Sequence, residues 1–413
     1  MRQWMVAAKK ADFYAIAEKF HVDPVVARII RNREVIGEKN IRIYLGGNLS
    51  DLSDPHQMKD MDRLVEILAQ KIRKQAHIRI IGDYDVDGVT SSHLFLTALR
   101  RVGAKVDVVI PHRIQDGYGL SLHLLQQAKE DGVDTILTCD NGIAAIDEIA
   151  WAKAQKMTVL VTDHHAVPFE EHEGRRTEKK SLADAVVNPQ QDCGYPYKEL
   201  CGAGVAWNVI RVLYENYDMD KREAEDLLDF VAMATVCDVM SLTGENRILV
   251  KEGLKRIRHT KNIGLQALMQ ACNVQPENIS AYHFGYVLGP CVNATGRLDT
   301  ARHALRLFET GQETEAEEIA RDLVDLNQER KELTLQGVEM AKKLCEEGGY
   351  ENDPVLVLFL PDVHESIAGL IAGRIREMYN RPVFVLTRGE EGVKGSGRST
   401  ENYSMYENMC GCA

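Results

Sequence analysis

The chain has 413 residues, 45% hydrophobic and 27% charged, more than one core usually organises, so at least two domains are expected. This composition argues against a disordered chain, and the lack of an uncharged apolar run of about 18 residues argues against a membrane-spanning one. The formal charge of -12 speaks against a surface coated in basic residues for duplex DNA, although a local basic channel can still take phosphates.

The opening MRQWMVAAKKADFYAIAEKF lacks the apolar core and small-residue cleavage site of a signal peptide, and a cytoplasmic protein is expected. The nine cysteines are odd in number and scattered through apolar segments, so reduced core residues are expected. Cys410 and Cys412 have no second pair to complete a tetrahedral zinc site.

Residues 1–70 read as short amphipathic helices forming an N-terminal extension. Residues 71–310 then bring apolar runs at Ile78 to Ile81, Val106 to Ile110, Thr135 to Thr138 and Thr158 to Val161, separated by helical segments, which is the pattern of a parallel α/β sheet. Ligands of such sheets gather at the carboxyl ends of the strands. A mostly helical stretch follows from about Lys198 to Phe308. From 311 to 348 apolar residues recur at Ile319, Leu323, Leu326, Leu333, Met340 and Leu344, predicting one long connecting helix. Residues 349–413 open a second α/β unit with a strand from Pro354 to Leu360, a helix from Ile367 to Tyr379 and a strand from Val383 to Leu386. The short polar tail after GSGRST leaves this unit incomplete, and a C-terminal truncation is expected.

The first strand runs into Gly82-Asp83-Tyr84-Asp85-Val86-Asp87-Gly88, with carboxylates at alternate positions that would repel one another if buried without a cation. A solvated acidic turn is the plainer alternative. Oxygen ligands at this density suit Mg²⁺ or Mn²⁺, with a helix starting near Val89. The third strand ends at Cys139-Asp140-Asn141-Gly142, which alone could be an Asx turn. The fourth ends at Asp163-His164-His165, adding imidazoles that manganese or iron accepts, with Asp163 placed to orient a ring. In ATVCDVM, Asp238 lies inside an apolar helical segment, either as an N-cap or paired with Arg247, or acting as the last ligand of a two-metal centre. Asn293, Gly296 and Arg297 form a turn-like run after Pro290, where a guanidinium could clamp a phosphate.

GDYDVDG, TCDNG, DHH and ATVCDV, in that order, resemble the DHH phosphoesterase superfamily, and the surrounding sequence resembles its bacterial RecJ branch of single-strand-specific exonucleases. The further matching segments are DLSDPHQMKDMD, LCGAGVAWNV, GPCVNATGRLD and VKGSGRS. The resemblance implies a parallel-sheet DHH domain joined by a long helix to a smaller DHH-associated α/β domain. It implies two divalent cations, Mn²⁺ or Mg²⁺, bound by Asp85 and Asp87 with Asp83 in the same cluster, Asp140 bridging, and His164 and Asp238 as further ligands. His165 would contact the scissile phosphate or leaving group and Asp163 would orient the histidines. Arg297, Ser396 and Arg398, with Asn293, would hold a terminal 5′ phosphate.

The activity so implied is hydrolysis of single-stranded DNA from a 5′ end, in recombination and repair. A monomer is expected, with single-strand-binding protein and a repair helicase as partners and no membrane. The oligonucleotide-binding barrel that the resemblance would place after this unit is expected to be absent. Two alternatives stay open: a phosphodiesterase of short oligonucleotides, cyclic dinucleotides or polyphosphate, and a non-catalytic DNA-binding relative.

Overall fold

The computed structural model describes residues 5, 9–113, 116–117, 119–172, 175–350, 353–389 and 392–411. The described chain divides into two compact units, Met1–Val292 with Ala301–Ala320, and Asn293–Thr300 with Arg321–Ala413.

In the first unit, helices Phe13–Phe20, Pro24–Asn32 and Glu38–Gly46 close a small cluster of Ile30, Val35, Ile41 and Tyr44. The main sheet is formed by β1 (Ile78–Ile81), β2 (Val106–Val109), β3 (Thr135–Cys139) and β4 (Thr158–Thr162), and by a strand absent from the sequence expectations, Ala185–Val187. Between the last two lies an antiparallel hairpin, β5 (Phe169–His172) and β6 (Arg175–Glu178), so Ala185–Val187 is β7. The order β2-β1-β3-β4-β7 is parallel throughout, with Ile78 opposite Val106 on one side and Thr135 on the other. Because β2 and β3 flank β1 on opposite sides, the chain changes direction at β1, and a crevice opens at the carboxyl ends of β1 and β3.

Helices α1 (Val86–Arg101), α2 (Leu122–Glu130) and α3 (Ile146–Ala154) follow β1, β2 and β3. The layer around α1 is completed by α4 (Gly202–Asn216) and α5 (Leu228–Cys237), both packed on it, while α6 (Gly244–Arg256) packs on α5. Helix α1 starts at Val86, three residues before the expected start near Val89, because the Asp85 carboxylate accepts from the Gly88 amide at 3.0 Å and caps it.

A second correction concerns Asn293, Gly296 and Arg297, which lie in α7 (Gly289–Leu298) and not in a turn. Pro290 is only the second residue of this helix, where a missing amide costs the ladder least, and the helix runs on to Leu298 directly after the π-helical turn Phe284–Leu288.

Helix α8 (Glu313–Gly348) is 36 residues long, about 54 Å at the α-helical rise. In the second unit its residues Val338, Ala341 and Cys345 pack with Leu356, Leu358, Ile371 and Val385. That core covers a sheet of β8 (Leu356–Phe359), β9 (Val383–Gly389) and β10 (Gly392–Arg398), in the order β10-β9-β8, beneath α9 (Ala368–Tyr379). The VKGSGRS segment is thus mostly strand, paired antiparallel with β9. Cys412 lies outside the described residues.

Candidate metal centre

Three strand ends and one helix end converge at the crevice. The β1 terminus delivers Asp83, Asp85 and Asp87. Asp83 is 1% exposed and its Oδ1 has no hydrogen-bond partner, a costly state for a buried carboxylate that a cation would relieve. Asp87 sits in the first turn of α1, where its two oxygens accept from the amides of Gly202 and Ala203 at 2.6 and 2.7 Å. These amides open α4, so its positive end also faces the carboxylate. Only glycine fits at 202: a Cβ there would lie 2.6 Å from the Asp140 Cβ. In the sequence the only signal for this role is the Gly202-Ala203-Gly204 run, which permits a close backbone approach.

The β3 terminus delivers Asp140, which is buried and has φ 61, a left-handed conformation uncommon outside glycine and asparagine. Asn141 supports this turn by donating to the carbonyls of Ile81 and Cys139 at 3.1 and 2.9 Å. Asn141 was read only as part of the TCDNG motif, and its tie between β1 and β3 depends on the strand order, which a single sequence does not display.

The β4 terminus delivers Asp163, His164 and His165. Asp163 faces inward and is saturated, accepting from the amides of Ile143, His164 and His165 at 2.9, 2.7 and 3.1 Å and from the His165 ring Nδ1 at 2.8 Å. His164 Nε2 points the other way. It lies 3.0 Å from Asp140 Oδ1, 3.6 Å from Asp87 Oδ2 and 3.7 Å from Asp238 Oδ2, yet makes no hydrogen bond. A ring nitrogen facing three carboxylates at these distances has the layout of a ligand set rather than of an ion pair.

Asp238 is placed differently from the expectation. It caps the C-terminus of α5 instead of lying inside it, its side chain is 27% exposed, and Arg247 does not pair with it. Arg247 donates to the Tyr44 carbonyl at 2.5 Å and stacks over that ring.

Among the described residues three overlapping groups could each hold an ion, their ligand atoms within 4.8 Å of one another: Asp83 with Asp85 and Asp140, Asp87 with His164 and Asp238, and Asp140 with His164 and His165. Asp140 belongs to two of them. Burial first, and then the neighbouring carboxylates, push Asp83 and Asp238 up to about 8 and raise Asp85 and Asp140 as well. Asp163 behaves oppositely: burial alone would raise it, but the His165 hydrogen bond and charge hold it below the ordinary carboxylate range. That hydrogen bond in turn raises His165. Hard oxygens with one or two imidazoles suit manganese or magnesium in preference to the thiolate-rich sites of zinc or copper.

The remaining expected residues lie in the second unit. Arg297 Nη1 donates to the Ser366 carbonyl at 2.7 Å, one turn before α9 is established. Ser396 and Arg398 project from β10 to the same helix start, where a Cβ on Gly369 would lie 2.6 Å from Arg398 Nη2 and 3.3 Å from Ser396 Oγ. Asn293 lies one helical turn before Arg297 on α7.

A doubly wound parallel sheet with a carboxylate and histidine cluster at its switch point defines the class, and residues 77–235 match the family described as DHH family, N-terminal domain. The single-stranded-DNA-specific exonuclease RecJ of Haemophilus influenzae is 36% identical over 93% of this chain and 67% of its own length. A crystal structure of exonuclease RecJ bound to manganese superposes with a TM-score of 0.73 at 32% identity, covering 86% of this chain and 85% of that one. The structure of RecJ in complex with Mg²⁺ from Thermus thermophilus gives a TM-score of 0.73 at 28% identity, covering 97% of this chain and 53% of the other. The chain belongs to the RecJ family of DHH proteins. It spans between 49% and 67% of the length of the curated relatives from Bacillus subtilis and Haemophilus influenzae.

Proposed function

We propose that the chain is a metal-dependent exonuclease that hydrolyses phosphodiester bonds of single-stranded DNA from a 5′ end, in recombination and repair. The observation that carries the reading is the unbonded His164 Nε2 facing Asp87, Asp140 and Asp238, beside a carboxylate trio that shares Asp140. RecJ relatives are named single-stranded-DNA-specific exonucleases and have been crystallised with manganese and magnesium, which fits this donor set.

In this reading Asp83, Asp85, Asp87, Asp140, His164 and Asp238 hold two divalent cations, Mn²⁺ or Mg²⁺. Such a pair supplies a nucleophile at neutral pH and offsets charge on the phosphate. The protein's own part is positional. Asp87 is fixed by two amides of α4, and Asp140 by the turn that Asn141 braces. With Nδ1 committed to Asp163, the His165 ring meets substrate through Nε2, and its raised pKa favours the form that donates a proton to the leaving oxygen.

Arg297, Ser396 and Arg398, with Asn293 nearby, are read as the holder of a terminal 5′ phosphate. Support comes from their meeting at the start of α9, where backbone amides and guanidinium groups favour an anion. Single strands in a cell are exposed by helicases and coated by single-strand-binding protein, which makes those the expected partners. We place the chain in the cytoplasm as a monomer, because one chain supplies the whole cluster; no described helix is long and apolar enough to cross a membrane.

Digestion of 3′-labelled single-stranded DNA with Mn²⁺, with and without a 5′ phosphate and beside a duplex, tests the reading. Mononucleotides released from the 5′ end, faster with the phosphate, are expected. Turnover confined to dinucleotides would move the function to short substrates, and binding without turnover would make the chain a non-catalytic relative.

A further inference from the structure

One side of the candidate metal centre carries exposed apolar surface that the fold does not use. Directly after Asp238, Val239 has φ 57 and is 87% exposed. A β-branched residue in the left-handed region is strained, and strain of this kind collects at working sites. Against this segment lies the helical run that starts at Ala281. The Cys237 thiol donates to the Phe284 carbonyl at 3.3 Å, and a Cβ on Gly285 would lie 3.4 Å from Val236 Cγ1. The π-helical turn Phe284–Leu288 is therefore seated on Val236 and Cys237, the two residues that lead into Asp238, with Phe284 and Leu288 buried.

Tyr282, just before this turn, and Tyr286, within it, are 63% and 73% exposed. The two rings are stacked, with centroids 5.1 Å apart and planes 25° from parallel, and the His283 ring meets Tyr282 edge-on at 5.7 Å. Leaving two large rings in water forgoes the stabilisation that burial would give, while their mutual stacking holds them in a defined orientation. Extended aromatic surface beside a site commonly marks where a ligand lies.

We propose that Tyr282 and Tyr286 form a stacking platform for the bases of the single strand that the centre cleaves, and so contribute to its preference for unpaired DNA. The proposal rests on the exonuclease reading and adds two specificity residues to it. Stacked aryl rings match the flat faces of nucleobases, and this kind of contact accepts any base. Bases in a duplex are already stacked on one another and have no face to offer. An acidic centre attracts phosphates only when cations are bound, so a base contact beside Asp238 would hold the strand independently of metal.

The test uses the full chain and a fluorescein-labelled single-stranded 12-mer, with anisotropy read in EDTA and again in Mn²⁺. The comparison is between wild type, the double variant Y282A/Y286A and the double variant Y282F/Y286F, and between the base-bearing 12-mer and an abasic strand of the same length. Stacking is worth about tenfold in affinity per base, within a wide range. The alanine pair is expected to weaken binding of the base-bearing strand by about tenfold or more with or without Mn²⁺, the phenylalanine pair to retain it, and the abasic strand to bind wild type and the alanine pair alike. In Mn²⁺ the same loss should fall on KM, with kcat at saturation little changed. Equal binding of the base-bearing strand by wild type and the alanine pair would overturn the platform, as would an equal loss on the abasic strand. Self-association of wild type that the alanine pair abolishes, without a change in strand binding, would assign the surface to a second copy instead. If wild type binds the strand through the tyrosines but does not cut it, the platform stands and the hydrolytic reading falls.

Discussion

At Asp140 the requirements of backbone and charge coincide. The residue accepts a left-handed φ of 61 so that its carboxylate enters a cluster of other acids, and burial makes that carboxylate reluctant to ionise. Burial, and then the neighbouring carboxylates, push Asp83 and Asp238 up to about 8 against about 4 for free carboxyls, so the folded state holds more protons across that window. Stability of the metal-free protein should therefore be greatest at the acid end and fall as pH rises from about 4 to 8. Thermal unfolding in EDTA at pH 5 and pH 8 measures this, and Mn²⁺ added at pH 8 should recover the loss; a metal-free protein more stable at pH 8 would contradict the burial of the cluster. Asp140→Ala should abolish cleavage while the protein stays folded by circular dichroism, because it removes a ligand common to two groups and relieves repulsion at the same time. Much of this was legible beforehand, since Asp83, Asp85, Asp87, Asp140 and Asp163 follow apolar strands and the tripeptide Asp163-His164-His165 is conspicuous, whereas Asp238 ends a helix. What the sequence could not display were partners far along the chain, such as the Gly202 and Ala203 amides on Asp87, 115 and 116 residues away.

Among the secondary-structure elements, the strands announced themselves through apolar runs between helices, and β1 to β4 lie where that pattern put them. Ala185–Val187 has only three residues and the hairpin Phe169–Glu178 is largely polar, so neither carries a periodic signal. The run after Pro290 misled for a different reason: its local chemistry signalled a turn, but Pro290 falls at the second position of a helix, where proline is tolerated. Close helix packing at α5 and α6 is equally hidden. Gly253 lies within α6, where alanine would ordinarily add about 1 kcal/mol of helix stability. Here a Cβ would lie 2.2 Å from the Leu228 carbonyl oxygen and 2.3 Å from the Ala232 Cβ. Gly253→Ala should consequently lower stability, by about 1–3 kcal/mol as overpacked cores do. The urea midpoint of unfolding reads the effect, and a raised midpoint would mean that the two helices are not in backbone contact.

For the molecule as a whole, the chain is one α/β unit carrying the acid and histidine cluster, and a second carrying Arg297, Ser396 and Arg398 at one helix start. The two sets invite separable losses. Arg398→Ala should reduce the preference for a 5′ phosphate and leave Mn²⁺ affinity unchanged, whereas Asp140→Ala should do the reverse to metal binding; rates on phosphorylated and unphosphorylated strands give the first, metal titration the second. The α/β class and the long helix could be read from the sequence because they follow from periodicity alone. The grouping of Asn293–Thr300 with residues 321–413 could not, since it depends on packing far along the chain.

The convergent strand ends are expected to bind a pair of divalent cations. A titration of the EDTA-stripped full chain with Mn²⁺, following free ion by electron paramagnetic resonance, beside Asp140→Ala, measures this. Two ions bound per chain, with weakened binding of both in the variant, is the predicted result. A wild-type chain that binds no more Mn²⁺ than the variant would contradict it.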